Sequence, residues 1–600
     1  MLHHALQSAT GIAALILCML SPAPAQSVTT LNLIPDKARY MPGEAAQLTL
    51  QVDSTTAHNG LESCVALESH GREILRKCTT DLHLKAGSNR IQISLQPPAE
   101  DFRGYRLTAQ LRKHGQEIAA GTSALDVSST WARYPRYGYI AHYDAATPAS
   151  EWIEELNRYH INGLLFYDVQ NKHHMPVPPG DTLPAQWSDV AGRTIERNVV
   201  LDLLTQARDR RMTTMIYNAS YAAYQNAFSD GSGVALQWAT WPSPTVARTA
   251  ANVKFFQLPK GWSTPGLLYM NQADPRWQRY LFAQMQRLFT ALPFDGWHVD
   301  TFGDAEAWDE SGRKIDFFSS FPQFVTAAHE VLKRPIVLNT VSGAGQEAMA
   351  NSPAEFVYSE LWPEDHATYD SILQASEAIH AHNPGKAIVF AAYMQKGVAE
   401  KLTPLGKQEN FNLPGLLLTD ATIFAAGAAH IELGDGDRML SSPYFPDDRT
   451  FTLDANARAA LRDYYDFLVA NEKLLRDPST ASDSLLTLEN APTSLHAEAG
   501  KIWTITRSQN NTVIAHLINL SAVQNTDWRN DAGNLAMPAT KHDLRLHILT
   551  PKPLTEATWA SPDIDHGAWH RLPVHRLASG QWELVLPELR IWSTVVLQTE

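Results

Sequence analysis

The chain has 600 residues, of which 44% are hydrophobic and 19% charged, and its formal net charge at pH 7 is -14. A chain of this length exceeds what one hydrophobic core organises, so several domains are expected. The acidic balance argues against nucleic acid or an anionic membrane surface as the main partner. Together with 16 Trp, it suits a neutral, sugar-like ligand.

The N-terminus carries an apolar run over residues 11–20, followed by the small residues Ala23 and Ala25. This pattern predicts a signal peptide over residues 1–25 with cleavage before Gln26, so we expect an exported protein, either periplasmic or extracellular. The run is too short to anchor the chain in a bilayer. We expect no membrane span, because no later segment offers about twenty continuous apolar residues.

Short alternating runs broken by Gly, Pro and Asn extend over residues 26–130 and predict an immunoglobulin-like β-sandwich. Cys64 and Cys78 lie symmetrically about His70-Gly71-Arg72 and would face one another across a β-hairpin. We expect them to form a disulfide in an oxidising compartment. Two buried free thiols are the alternative.

Residues 131–480 alternate apolar, strand-like runs with stretches of helix length, which predicts parallel strands joined by helices. Eight such units in roughly 340 residues indicate a central (β/α)8 TIM barrel rather than an open sheet. The strands are predicted at residues 137–143, 163–168, 213–218, 296–300, 335–339, 356–360, 387–393 and 430–434. Alternating runs return over residues 481–600 and predict a C-terminal β-sandwich.

The predicted barrel strands end in polar or phenolic residues, although strands buried on both faces do not require them. Function collects at the C-terminal ends of barrel strands. One such residue alone is explained as well by a helix cap, whereas convergence over several strands indicates a site. The strand-end residues are Asp168, Tyr217, Asn218, His298, Asp300, Asn339, Glu360, Tyr393, Glu432 and Asp435.

Asp300 and Glu360 end the fourth and sixth predicted strands, which lie close enough round the ring for both carboxylates to reach one substrate atom. Glycosidic cleavage needs such a pair, because one acid protonates the leaving oxygen while the other group attacks the anomeric carbon or stabilises its charge. Spacing alone leaves the choice of pair open. The competing acids are Asp168, Asp304, Glu364 and Asp435.

Motifs for other chemistries are missing from the sequence: it has no HExxH helix, metal-type Cys cluster, GxxxxGK[ST] loop or GxSxG elbow. The adjacent His173 and His174 could suggest a metal, but neighbouring side chains on an extended segment diverge. A loop that holds sugar hydroxyls is favoured there. We therefore expect neither a metal nor a cofactor.

Several longer segments carry a resemblance to a known family. They are Tyr134-Pro-Arg-Tyr-Gly-Tyr139, His160-Ile-Asn-Gly163, Phe166-Tyr-Asp-Val-Gln-Asn-Lys-His-His174 with Pro176, Phe294-Asp-Gly-Trp-His-Val-Asp300, Tyr358-Ser-Glu-Leu-Trp362, His430-Ile-Glu-Leu-Gly-Asp435, Asn519-Leu520 and Asp527-Trp-Arg529. Together they resemble glycoside hydrolase family 66, which comprises endo-dextranases and cycloisomaltooligosaccharide glucanotransferases acting on α-1,6-glucan with retention. The similarity extends from about Trp131 through the C-terminal region.

The resemblance implies that Asp300 is the nucleophile and Glu360 the general acid/base, with dextran or isomaltooligosaccharides as the partner. The aromatic residues that could offer flat faces to glucose rings are Trp297, Trp362, Tyr217 and Tyr393. The residues that could bond sugar hydroxyls are Asp168, His174, His298, Asn218, Asn339, Glu432 and Asp435. For each of these residues two roles are open: direct contact with the substrate, or support of a neighbouring side chain.

One departure bears on the choice within the family. Its cyclising members usually carry an inserted carbohydrate-binding module in the catalytic region, and the segment from Glu360 to Asp435 leaves no room for one. The resemblance therefore favours an endo-dextranase that releases isomaltooligosaccharides over a glucanotransferase. A barrel that only binds glucan is a third alternative, against which the intact carboxylates argue.

Overall fold

The computed structural model describes residues 28–441 and 451–600, which form a multidomain, strand-rich architecture. The predicted signal peptide, residues 1–25, lies outside the described residues. Within the described ranges, no helix is both long and apolar enough to cross a membrane.

Residues 28–127 form two antiparallel sheets, one of three strands and one of four, that share a single hydrophobic core. Cys64 and Cys78 are directly opposite one another on the third and fourth strands and are joined in a disulfide. The strands are β1 (Val28–Pro35), β2 (Ala46–Ser54), β3 (His58–Ser69), β4 (Arg72–Leu84), β5 (Gly87–Leu95), β6 (Arg103–Lys113) and β7 (Gln116–Val127).

The central region contains seven of the parallel strands predicted from the sequence, with small shifts at their ends, and several short additional ones. The eighth, predicted at residues 430–434, is divided into two strands of two residues each. The strands of the region are β8 (Tyr137–Ile140), β9 (Gly163–Phe166), β10 (Gln186–Ser188), β11 (Thr194–Glu196), β12 (Thr213–Ala219), β13 (Ala222–Tyr224), β14 (Phe255–Gln257), β15 (Gly266–Tyr269), β16 (Gly296–Asp300), β17 (Ile336–Asn339), β18 (Val357–Leu361), β19 (Ile388–Ala392), β20 (Glu409–Asn410), β21 (Ala429–His430), β22 (Leu433–Gly434), β23 (Arg438–Met439) and β24 (Phe451–Thr452).

A closed ring of strand pairs organises this region. Strands β8, β9, β12, β16, β17, β18, β19 and β21 pair in that order, and every pair is parallel. Strand β22 continues the chain just after β21 and pairs in parallel with β8. Residues 429–434 therefore join the last strand of the ring to the first.

Helices α1 to α8 connect successive ring strands, and α9 and α10 follow the last ring strand. They are α1 (Ala149–Asn157), α2 (Arg197–Asp209), α3 (Pro275–Ala291), α4 (Phe317–Leu332), α5 (Gln346–Met349), α6 (Tyr369–His382), α7 (Lys396–Leu402), α8 (Leu413–Ala425), α9 (Ala455–Ala470) and α10 (Glu472–Arg476). Helix α3 shows how the sequence sets a boundary: Asp274 caps it by accepting from the backbone N–H of Arg276, and Pro275 occupies the first turn, where its missing N–H costs nothing.

Alternate residues of each ring strand face opposite sides, which separates two hydrophobic clusters. On β19, Val389 and Ala391 belong to a cluster inside the ring. Ile388 and Phe390, on the same strand, belong to the larger cluster shared with the helices. A side chain's position along its strand therefore decides whether it can reach the interior of the ring.

Residues 480–599 form two further sheets, of seven and four strands, around a third hydrophobic core. The strands are β25 (Thr480–Ala481), β26 (Leu485–Leu488), β27 (Thr493–Ser494), β28 (Ile502–Gln509), β29 (Thr512–Asn519), β30 (Lys541–Leu549), β31 (Leu554–Ala560), β32 (His570–Leu572), β33 (His575–Arg576), β34 (Trp582–Leu589) and β35 (Trp592–Thr599).

A fully buried arginine ties the N-terminal sheets to the ring. The Arg136 guanidinium bonds the carboxylate of Asp126, 2.7 Å away on β7, and the carboxylate of Glu472 on α10. It also donates to the backbone carbonyl of Ala38 at 3.2 Å. Since both carboxylates are buried too, they share this one guanidinium only while all three elements stay together.

Candidate active site

A cavity of about 280 Å3 opens at the C-terminal ends of the ring strands. Because parallel strands end at one edge of a sheet, side chains from distant parts of the sequence meet there. The predicted site residues that line the cavity are Asp168, Tyr217, His298, Asp300, Asn339, Glu360, Trp362 and Tyr393.

Asp300, the last residue of β16, accepts hydrogen bonds from both neighbouring strands. The Tyr217 hydroxyl of β12 donates to its Oδ2 at 2.8 Å, and the Asn339 amide of β17 donates to its Oδ1 at 3.0 Å. Burial, together with the charge of Glu360, raises the pKa of Asp300 to about 7, while the two donors act in the opposite direction. These contacts fix the carboxylate and stabilise its charged form.

Glu360 stands on β18 and is held in a similar way. The Tyr393 hydroxyl donates to its Oε1 at 2.8 Å, and the Trp362 indole N–H donates to its Oε2 at 2.9 Å. Burial raises the pKa of Glu360, and the donors Trp362, Tyr393 and Asn339 oppose that rise. The Asn339 amide thus acts on both carboxyl groups, from the strand between them.

The two carboxyl groups interact strongly enough for each charge to disfavour the other. Burial raises the pKa of both groups, and their ionisation belongs to the pair as a unit. One carboxylic acid beside one carboxylate can protonate a leaving oxygen and attack the carbon that oxygen departs from. No other pair of acids among the described residues lining the cavity shares this coupling.

Asp168 supplies a third carboxyl group to the cavity from the end of β9. Its backbone has φ 51°, in the left-handed region that side-chain-bearing residues rarely adopt. Gln170 donates to Oδ1 at 3.3 Å, and an Arg193 nitrogen lies 3.9 Å from Oδ2. Burial raises the pKa of Asp168, and the positive charge of Arg193 opposes the rise.

His298 lies inside the ring beneath the pair. Its Nδ1 is 3.2 Å from the Tyr137 hydroxyl, and its ring stacks on that of Tyr137. Burial lowers the pKa of His298 to about 3, so the imidazole is neutral at working pH. It can therefore donate or accept a hydrogen bond without adding a charge below the carboxyl pair.

Three predicted substrate contacts lie outside the cavity. Trp297 is fully buried on the helix side of β16, where it packs against Phe282 and Phe324, so its expected contact with a sugar ring is corrected. Asn218 also faces the helices and bonds the loop at His173, 2.9 Å away. His174 is fully buried and bonds Asp230 at 3.0 Å. Each follows from strand alternation or from the path of the loop.

Glu432 and Asp435 also support the structure from outside the cavity. Glu432 is fully buried between the Tyr465 hydroxyl, at 2.9 Å, and His430. Asp435 accepts from the backbone N–H of Ala141 at 2.9 Å and approaches His142 Nδ1 at 2.5 Å, which holds the end of β8. Their expected contacts with substrate hydroxyls are corrected accordingly.

Side chains spaced to hold a metal ion occur in three groups among the described residues, and none of the groups lines the cavity. One is the buried set Asp420, His430 and Glu432, in which His430 Nδ1 lies 2.9 Å from an Asp420 oxygen and 3.3 Å from a Glu432 oxygen. Another contains the disulfide-bonded Cys64 and Cys78.

One wall of the cavity is aromatic and apolar, and the sequence patterns did not indicate it. It comes from a small antiparallel sheet, β13-β15-β14, inserted between β12 and α3, and from the segment after β16. His173 lies on another part of the lining, beside Tyr217. The wall residues are Tyr221, Phe256, Leu258, Trp262, Leu267, Tyr269 and Phe302.

A family model described as glycosyl hydrolase family 66 matches residues 35–596. The chain belongs to glycosyl hydrolase family 66. A cycloisomaltooligosaccharide glucanotransferase of Niallia circulans is 24% identical over 727 residues, covering 97% of this chain and 74% of the relative. A dextranase of Streptococcus salivarius is 24% identical over 528 residues, covering 77% of this chain and 62% of the relative.

One solved structure of a similar enzyme shows the same overall fold. The crystal structure of a Paenibacillus cycloisomaltooligosaccharide glucanotransferase, complexed with cycloisomaltoheptaose, superposes with a TM-score of 0.85 at 22% identity. The match covers 94% of this family 66 chain and 100% of the other. At this identity the likeness establishes the fold, and the chemistry has to be argued from the side chains.

Proposed function

We propose that this family 66 enzyme is an endo-dextranase, which hydrolyses internal α-1,6-glucosidic bonds and releases isomaltooligosaccharides with retention. The observation that carries the proposal is the coupled pair Asp300 and Glu360, each held by two side-chain donors and both facing one cavity. Membership of a glycosidase family and the relatives that act on α-1,6-glucan support the same reaction.

In the proposed mechanism, Glu360 is protonated and Asp300 is ionised when substrate binds. Glu360 donates its proton to the glycosidic oxygen while an Asp300 oxygen attacks the anomeric carbon, so the carbon–oxygen bond breaks and a glycosyl ester forms. Glu360, now a carboxylate, takes a proton from water as that water attacks the anomeric carbon, and the bond from this carbon to Asp300 breaks to release the Asp300 carboxylate. Two inversions give retention, and the proton returns to Glu360.

The surroundings of the pair suit this division of labour. With the proton on Glu360, its charge no longer raises the pKa of Asp300, and Tyr217 and Asn339 still stabilise the Asp300 anion. The aromatic wall offers the flat apolar faces on which glucose rings pack. A neutral polysaccharide also fits a chain with a net charge of -14, because binding a neutral ligand requires no cationic surface.

The architecture is proposed in the same terms. The closed order of parallel strand pairs supports a (β/α)8 barrel over residues 131–480. The shared cores of the two outer regions support β-sandwiches over residues 26–130 and 481–600. We further propose export of the protein, based on the N-terminal sequence.

The test is the loss of reducing-sugar release from dextran in Asp300→Asn and Glu360→Gln. Each variant should lose at least about 1,000-fold in kcat/KM, because general acid and nucleophile cannot substitute for one another. Asp304→Asn and Glu364→Gln are matched controls, since both are exposed acids just beyond the same strand ends. Activity within tenfold of wild type in either catalytic variant, with both folded, would refute the assignment.

Transglycosylation to cyclic isomaltooligosaccharides is the second candidate, favoured by the glucanotransferase relatives that match most of the chain. The segment between Glu360 and Asp435 supports hydrolysis, because the ring's own strands and helices α6, α7 and α8 account for most of it. Chromatography of early products from dextran separates the two. Linear oligosaccharides support hydrolysis, cyclic ones transfer, and glucan binding without reducing-sugar release would indicate a non-catalytic protein.

A further inference from the structure

His430 ends the short ring strand β21 and lies outside the lining of the cavity. Its neighbours Ala429 and Ile431 belong to the cluster inside the ring, so alternation directs the His430 side chain toward the helices. The side chain is buried, at 2% exposure. It reaches the backbone of the paired strand β19 at the point where that strand delivers Tyr393 to the cavity.

Both nitrogens of the His430 ring face oxygen atoms. Nδ1 lies 2.9 Å from an Asp420 oxygen on α8 and 3.3 Å from a Glu432 oxygen. Nε2 lies 3.3 Å from the backbone carbonyl oxygen of Ala392. Because a carbonyl oxygen can only accept, Nε2 carries the hydrogen of this bond, whichever group holds the proton between Nδ1 and Asp420. His430 is therefore the donor to Ala392.

The groups packed around His430 favour this donor form. Burial lowers the pKa of His430, but the charges of Glu432 and Asp420 outweigh burial and raise the pKa to about 10. Tyr465 faces the same cluster from α9, and its hydroxyl donates to Glu432 at 2.9 Å. His430 therefore keeps its Nε2 hydrogen at neutral pH, and the bond to Ala392 persists there.

Ala392 connects this ring to the carboxyl pair. It is the last residue of β19, and its carbonyl belongs to the same planar peptide group as the N–H of Tyr393. A bond that fixes the carbonyl therefore fixes the plane from which Tyr393 departs. The Tyr393 hydroxyl, at the far end of its side chain, donates to Glu360 Oε1 at 2.8 Å. A chain of contacts thus runs from His430 to Glu360.

We propose that His430 is a positioning residue for the reaction, which holds the Tyr393 hydroxyl on Glu360 by anchoring the carbonyl of Ala392. The inference rests on the proposed role of Glu360 as the general acid. Without the anchor, Tyr393 bonds Glu360 less completely, so the charged form of Glu360 loses stabilisation and the pKa of Glu360 rises. His430 would then set the pH range of the reaction without touching the substrate.

The other ionisable groups around Glu360 leave the pH profile readable. Tyr358 faces Glu360 from β18 and Tyr167 from the end of β9, and burial raises the pKa of each phenol well above its usual value. Neither phenol therefore titrates in the range of the assay. Asp300 is the group that must be ionised, so it governs the acid limb. A movement of the alkaline limb alone reports on Glu360.

Two amide variants separate the contact with Ala392 from the charge of the ring. His430→Gln places an amide N–H near the position of Nε2, within reach of the carbonyl, whereas His430→Asn places one near Nδ1. Both variants remove the ring and its charge, so both should lower Tm similarly. In the kcat/KM profile on dextran, His430→Asn should move the alkaline limb upward by roughly 0.5–1 pH unit, part of the shift expected when the Tyr393 donor is removed outright. His430→Gln should restore the limb toward its wild-type position.

Tyr393→Phe is the reference, because it removes the hydroxyl through which the proposed effect passes. In the Tyr393→Phe background, His430→Asn should move the alkaline limb no further, which is the signature of two residues acting in series. His516→Asn is the matched control. His516 is also 2% exposed, but it lies on β29 in the C-terminal sheets, so its loss should leave both limbs in place.

The outcomes distinguish this inference from the proposed function. If Tyr393→Phe leaves the alkaline limb unmoved, the role of Glu360 as the acid fails, and the inference fails with it. If Tyr393→Phe moves the limb but His430→Asn does not, only the positioning role fails. It also fails if His430→Gln and His430→Asn move the limb equally, or if the two shifts add in the double variant.

A measurement on the wild type keeps the test decisive if His430→Asn does not fold. Neutron diffraction from deuterium-exchanged crystals should show a deuterium on His430 Nε2, directed at the Ala392 carbonyl. A bare Nε2 would overturn the proposal, because the anchor would then be missing.

Discussion

Replacing Tyr393 by Phe tests the electrostatics of the carboxyl pair without changing the shape of the site. The Tyr393 hydroxyl donates to Glu360 Oε1 at 2.8 Å, which stabilises the ionised form of Glu360 and lowers its pKa against the effect of burial. Phe removes that donor, so the pKa of Glu360 should rise. Because Glu360 must be protonated to act as the acid, the alkaline limb of the kcat/KM profile should move to higher pH.

The size of this shift follows from the bond that is lost. A hydrogen bond to a charged group contributes about 1.5–3 kcal/mol, and one pH unit corresponds to about 1.36 kcal/mol. The alkaline limb should therefore move upward by roughly one to two pH units. The assay is reducing-sugar release from dextran at subsaturating concentration across pH 4 to 10, with wild type and variant in the same buffers.

Tyr217→Phe is the counterpart of Tyr393→Phe: it should narrow the kcat/KM profile, whereas Tyr393→Phe should widen it. The Tyr217 hydroxyl bonds Asp300 Oδ2 at 2.8 Å, so its removal should raise the pKa of the group that must be ionised, and the acid limb should move to higher pH. Tyr280→Phe loses a bond to the backbone of His174, away from the pair, and should move neither limb. If both active-site variants shifted the same limb, the assignment of acid and nucleophile would fail.

Three further results are expected. Arg136→Met removes the buried guanidinium that bonds both Asp126 and Glu472 and should destabilise the protein by about 3–5 kcal/mol in urea; a loss under 1 kcal/mol would contradict a stabilising role of Arg136. Alanine at both Cys64 and Cys78, which are 14 residues apart, should cost about 3 kcal/mol, and unchanged stability would argue that the bond does not constrain the unfolded chain. Secreted from a bacterial host, the protein should begin at Gln26 by intact mass, and retention of residues 1–25 would refute export by cleavage.

The ring strands could be predicted from the sequence because a strand buried on both faces is a short apolar run, and each was bounded by helix-length polar stretches. The ends of the strands were harder to predict. The first strand was expected to reach Tyr143, whereas β8 ends at Ile140. Past that residue Tyr143 turns back, and its hydroxyl donates to the backbone carbonyls of Ile140 and Tyr167.

Asp300 and Glu360 were candidates from the sequence because they lie at the ends of two predicted ring strands, and the family resemblance selected them from the competing acids. Which neighbours share the cavity depends on alternation along each strand. On β16, His298 faces inward with Asp300, and Trp297 faces the helices. Just after β21, Ile431 belongs to the cluster inside the ring, whereas the neighbouring Glu432 is buried outside the cavity. Taking every strand-end residue as a contact ignored this alternation.

Alternation also has a limit, which Asp168 shows. Leu165 and Tyr167 face the ring interior, so a straight strand would direct Asp168 toward the helices. Its left-handed backbone, φ 51°, interrupts the alternation and brings the carboxyl group into the cavity. Strain of this kind costs free energy and persists where the surrounding structure demands it. The local sequence does not predict this left-handed conformation, because Asp adopts it only where the surrounding structure requires it.

The aromatic wall is the part of the site that the sequence patterns could predict least, and the reason bears on substrate specificity. Its residues come from the inserted sheet β13-β15-β14 and the loop after β16, outside the ring, so no alternation with a catalytic carboxylate fixes their direction. The ring sets the carboxyl pair, and the insertion sets the surface a glucan chain meets beside it. Substitutions in the wall should therefore change which chain lengths are cleaved while leaving the pH limbs of the reaction in place, since Tyr217 and Tyr393, which set those limbs, belong to the ring's own strand ends.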